Sequence, residues 1–62
     1  MKDTSLLFNT IAAIEAAHTL DNALEALELA EALLTVAYTA TEMDVAGAVV
    51  RLAALKVESF MQ

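Results

Sequence analysis

The sequence predicts an all-α protein. It holds no proline, a single glycine at position 47, and 14 alanines interleaved with 10 leucines, an inventory that favours helix at nearly every position. At 62 residues the chain is one small domain, 1–62. A domain of this size buries only about 60% of the surface its unfolded chain exposes, so its stability is marginal without further support. There is no cysteine to form disulfides and only one histidine, which leaves association as the expected support.

The elements follow in chain order. Leu7, Ile11 and Ile14 keep helical spacing, and Asp3, Thr4 or Ser5 offers a cap, so a first helix is expected over about 5–18. Residues 18–21 contain neither Gly nor Pro, which leaves two arrangements open: one continuous rod, or two helices meeting at a bend. A second helix is expected over about 21–38, with Asn22 as cap and Glu25 reaching back. Along it Glu25, Glu28, Glu31, Thr35 and Thr39 form one stripe, with Ala26, Leu29, Ala30, Leu33, Val36 and Ala37 opposite. Leu27, Leu34 and Tyr38 widen the apolar arc to roughly 200°. Tyr38 borders the polar stripe, where a half-buried ring with its hydroxyl in water is expected.

A Thr-x-x-Glu box at Thr39 and a Thr-x-x-Asp box at Thr41 compete to start a third helix over about 42–60. Its apolar face carries Val45, Ala46, Val49, Leu52, Ala53, Val57 and Phe60. Asp44, Arg51 and Glu58 form a narrow polar strip, and Lys56 flanks the apolar side with its stem packed and its ammonium in water. Gly47 inside this helix costs about 1 kcal/mol relative to Ala, which marks either a tight helix crossing or a tolerated defect. The short connection makes the last two helices an antiparallel hairpin.

Two such rods carry more apolar surface than they hide against each other. Apolar residues make up 60% of the chain and charged residues 19%, against a usual ~25% charged. The expected outcome is a homo-oligomeric helix bundle, a homodimer or a higher even assembly, with the N-terminal segments laid across four core helices. Its interface is expected to draw on Leu27, Ala30, Leu33, Leu34, Ala37, Val45, Val49, Leu52, Ala53, Val57 and Phe60. A strict two-residue seam per heptad is not apparent, which argues against a long two-stranded coiled coil.

Charged residues interrupt every window of the ~20 residues a membrane span needs. The start of the chain lacks the cationic, uninterrupted apolar pattern of a secretory signal, since Asp3 offsets Lys2 and Glu15 breaks the following run. A cytoplasmic protein is expected. A net charge of −6 disfavours nucleic acid and anionic lipid as partners.

The sharpest chemical pattern is Glu15-x-x-His18, a spacing that di-iron helix bundles use. Those sites need more inward carboxylates, whereas Glu25, Glu28 and Glu31 lie on an outward stripe. His18 also continues the Leu7, Ile11, Ile14 seam, as an ordinary interfacial histidine would. No metal or other cofactor is therefore expected, and Glu15 and His18 stand as the candidate metal ligands of an alternative reading. Catalysis lacks its parts: there is no cysteine nucleophile, no Gly-rich phosphate loop, and Ser5 and Ser59 lie near the chain ends. The acidic row could imitate nucleic acid, but its charges rise ~4.5 Å apart along the helix against about one per 1.7 Å of duplex axis. Met43, Phe60 and Met61 offer adaptable contacts for a partner helix or simple core filling.

The run DNALEALELAEALL at 21–34, with LLF at 6–8 before it and AVVRLAALKV at 48–57 after it, resembles short uncharacterised bacterial proteins built around a helical hairpin. The Gly-containing turn expected after LLF in that family is missing here. The resemblance implies a hairpin fold and no activity. The expected role is a non-enzymatic interaction module: a small regulator, inhibitor or adaptor, of bacterial or phage origin. The alternatives are a metal-binding bundle and an acidic inhibitor of a nucleic-acid-binding protein.

Overall fold

The structure, a computed structural model, describes residues 4–62. Every regular element among them is a helix: α1 (Ser5–Ala16), α2 (Leu20–Val36) and α3 (Ala40–Met61). The two arrangements open at residues 18–21 resolve into separate helices. Ala17 leaves α1 in an extended conformation, and Thr19, also extended, starts α2. His18 therefore lies between helices, two residues beyond the end of α1.

The α2–α3 junction has the same construction. Ala37 is extended, Tyr38 follows, and extended Thr39 caps α3. Each helix thus ends without a left-handed residue, and no non-glycine residue described has a positive φ. An extended alanine carries the chain outward, one exposed residue spans the gap, and a threonine opens the next helix. The cap of α2 is Thr19, whose hydroxyl accepts the Asn22 backbone N–H at 3.1 Å. Asn22 thus sits inside the first turn rather than before it. At α3 the Thr39 box prevails over the Thr41 one, because Thr39 is the residue with the extended backbone an N-cap needs. Asp3, one cap candidate for α1, lies outside the described residues. Thr4 holds the N-cap position there without a side-chain hydrogen bond.

The most extensive contact is between α2 and α3, α1 packs mainly on α2, and its contact with α3 is the slightest. Ala30, Leu33, Ala46, Val49 and Ala53 form one buried cluster, edged by Leu6, Leu7, Ile14, Leu27 and Val50. Ala17, Ala23 and Val57 form a second, also touched by Leu27. Residues early in α2 thus meet residues late in α3, and the reverse holds at the other end.

The core is made of small side chains. Ala17, Ala23, Ala26, Ala30, Ala46 and Ala53 are buried, with Leu33, Val49 and Val57 as the larger members. Alanine at the contact lets helix axes approach closely, toward the short end of the usual 8–10 Å. Thr10 is fully buried, and its hydroxyl donates to the Leu6 carbonyl at 2.7 Å, so no polar group there is orphaned. Gly47 makes no tight crossing within the chain: a Cβ built on it meets nothing within 4 Å.

Candidate functional site

The residues that matter are the large apolar ones the fold leaves outside. The chain exposes 4162 Å², close to the roughly 3,900 Å² expected for a folded monomer of its mass. The amount of surface is ordinary, and its composition is not. Leu20, Leu24, Leu29, Leu34, Leu52 and Leu55 are all exposed, as are Phe8, Met43, Val45 and Met61. The buried residues are mostly alanine, with Leu33 the one fully buried leucine, while six of the ten leucines are exposed, against the usual order of burial.

Two surfaces carry most of these leucines. The first is a groove of about 460 Å³ between α1 and α3, walled by Ile11, Ile14, Leu52 and Leu55, with Glu15, Lys56 and Ser59 at its rim. Lys56 is half-buried there, consistent with an apolar stem lying along the wall. The second is the broad side of the α2–α3 layer facing away from α1. On α2 it carries Leu20, Leu24, Leu27, Glu31 and Leu34, alternating four-residue and three-residue steps that keep one helical face. The row is heptad-spaced, though Glu31 interrupts its apolar character. The spacing was present in the sequence, hidden because Leu27 and Leu34 also read as the edge of a wider apolar arc. With Glu31 in its middle and only 17 residues in α2, the row is short.

The eleven expected interface residues divide. Ala30, Leu33, Val49, Ala53 and Val57 are buried inside the single chain; Leu27 and Ala37 are half-buried; Leu34, Val45, Leu52 and Phe60 are exposed. The α3 face expected from Val45 to Phe60 is thus narrower inside the molecule, since Val45, Leu52 and Phe60 fall away from the core. Leu29, expected on the buried side of α2, is also exposed, lining a smaller cleft against α1 with Ala13, Asn22 and Glu25. Tyr38 is 80% exposed, not half-buried. Its position in the connection, after α2 has ended, swings the ring off the helix face, while its backbone N–H donates to Glu42 Oε1 at 3.0 Å.

Glu15 and His18 do not share a helical face. Glu15 is in the last turn of α1, His18 is past its end, and both are exposed. No group of three or more His, Cys, Asp or Glu side chains among the described residues is arranged to hold a metal ion. Glu25, Glu28 and Glu31 are exposed along α2. Among the described residues no helix is long and apolar enough to cross a membrane.

Comparison with protein-family models, curated proteins and solved structures finds no match to this chain.

Proposed function

We propose that this chain is a non-enzymatic interaction module: an antiparallel α2–α3 hairpin braced by α1, which self-associates into an even-numbered helix bundle and serves as a small regulator or adaptor. The observation that carries this reading is the inverted packing, with mostly alanine inside and six of the ten leucines outside. Burying an exposed Leu is worth about 1.5–3 kcal/mol, and the exposed leucines Leu20, Leu24, Leu34, Leu52 and Leu55 form rows rather than scattered points. Contiguous apolar rows on a solvent-facing surface mark interaction sites. The sparse charge rows and the open apolar groove between α1 and α3 favour apolar docking over polyanion mimicry.

The test is the mass of the free protein across a wide concentration range, with melting followed in parallel. An assembly at an even multiple of 6.6 kDa, and a melting temperature that rises with concentration, are expected. High salt should leave the assembly intact, because apolar contacts are not screened. A chain that stays monomeric, helical and cooperative in its melting at every concentration rules the reading out.

A further inference from the structure

The geometry points to one of the two apolar surfaces as the self-association face: the α2–α3 side opposite α1, occupied by the same face of a second copy. This rests on the self-association proposed above and adds which surface, which symmetry and which residues.

Size argues first. A standard interface covers about 800 Å² per partner, close to a fifth of the 4162 Å² this chain exposes. The molecule measures 35 × 18 × 14 Å, so one full side offers roughly 600 Å² in projection before the corrugation of its side chains is added. A stable dimer therefore needs a whole two-helix side. The α1–α3 groove is a single furrow and is too narrow.

Shape argues next. An interface between identical copies must be self-complementary. On this side α2 presents a ridge, Leu20, Leu24, Leu27 and Leu34, with exposed Glu31 in its middle, while α3 presents a shallow strip, Gly47, Val50 and Ala54, all half-buried. A side chain at Gly47 would meet nothing in its own chain, so the strip is open from outside. A two-fold axis parallel to the helices sets the ridge of each copy over the strip of the other.

Charge supplies the orientation. Ala23 clusters with Val57, and Leu33 with Ala46 and Val49, which sets the levels along the antiparallel layer: Leu27 lies near the level of Ala53, and Glu28 near that of Leu52 and its neighbour Arg51. Glu28 and Arg51 are both exposed, on the outer edges of α2 and α3. The parallel two-fold axis brings Arg51 against Glu28 of the partner subunit, twice per dimer. The perpendicular axis would stack α2 on α2, acid on acid, which like-charge repulsion opposes.

The experiment compares Gly47→Phe, Leu55→Glu, Arg51→Glu and the double variant Arg51→Glu/Glu28→Arg by sedimentation equilibrium, with far-UV circular dichroism on each. Gly47→Phe should keep its helix content, since Gly is the poorer helix former, yet raise the dimer dissociation constant roughly tenfold to a hundredfold. Leu55→Glu, in the α1–α3 groove, should leave that constant unchanged. Arg51→Glu should weaken the dimer about threefold to tenfold, and the added Glu28→Arg should restore it. A wild-type chain that never associates refutes self-association itself. A wild-type dimer that survives Gly47→Phe and is broken by Leu55→Glu overturns this face while leaving self-association standing. Failure of Glu28→Arg to rescue overturns the parallel axis.

Discussion

Thr39 and Glu42 cap each other: the Thr39 hydroxyl accepts the Glu42 backbone N–H at 3.1 Å, and Glu42 Oε1 accepts the Thr39 backbone N–H at 3.0 Å. The same carboxylate oxygen takes the Tyr38 N–H, so one side chain satisfies two backbone donors of the connection. Thr39→Ala should cost about 1 kcal/mol in chemical denaturation. Glu42→Ala should cost at least as much, and the double variant less than the sum, because both act on one motif. Full additivity would show the two bonds to be independent.

The start of α2 is half of that motif. Thr19 accepts from Asn22, but Asn22 stands where α3 has Glu42. Asn22→Glu should complete the box and add an acid at the helix N-terminus, raising stability by about 0.5 kcal/mol after repulsion from Glu25. The change is read as a shift in the denaturation midpoint, and a lower midpoint would count against the argument.

Much of the fold was legible in the sequence because capping chemistry is local. Thr39, Ala40, Thr41 and Glu42 announce the third helix, and the composition announces helix throughout. The α2 cap was misassigned to Asn22 because Thr19 and Asn22 are both good caps, and the choice depends on where α1 stops. With no Gly or Pro between His18 and Asp21, that stop is set by packing: Ala17 is drawn into the cluster with Ala23 and Val57. The candidate surface was less legible. α3 is apolar around most of its circumference, so the pattern does not say which seam turns inward. The structure turns Ala46, Val49, Ala53 and Val57 inward, where the two alanines permit close approach to α2, and this choice displaces Val45, Leu52 and Phe60 outward.

That selection is testable by size. Ala53 is fully buried and Leu52 is 54% exposed. Ala53→Leu should destabilise the chain by about 1–3 kcal/mol through overpacking. Leu52→Ala should change it by no more than about 0.5 kcal/mol at concentrations where the chain is monomeric. The opposite ranking in urea denaturation would mean that the other seam of α3 faces inward.

Thr10 separates a polar requirement from a volume requirement. Its hydroxyl bonds the Leu6 carbonyl, the acceptor already used by the helix's own i to i−4 bond. Thr10→Val removes a donor without stranding an acceptor, so a change within about 1 kcal/mol is expected. Thr10→Ala leaves unfilled space and should be the more destabilising of the two. Calorimetric melting of both variants decides the order.

His18 projects from a connection rather than from the face that holds Glu15. His18→Ala should therefore leave melting in the presence of added zinc unchanged relative to the same variant without zinc, as for the wild-type chain. A zinc-dependent rise in melting temperature that His18→Ala abolishes would restore the metal-binding reading.

If the chain self-associates as proposed, the docking of α1 has a consequence for how large the assembly grows. This helix has 12 residues, no side-chain hydrogen bond at its N-cap, no acid in its first turn and no base in its last, and a helix that short does not persist alone in water. While docked, it covers one side of the α2–α3 layer through Leu6, Leu7 and Ile14, so, under the self-association proposed above, growth through the opposite side terminates at a closed dimer. Peeled away, it would turn a one-sided tile into a two-sided one, and two-sided tiles stack without limit. On the proposed reading the first helix is a stopper against polymerisation, docked through Leu6, Leu7, buried Thr10 and Ile14, with Ala17 just past its end.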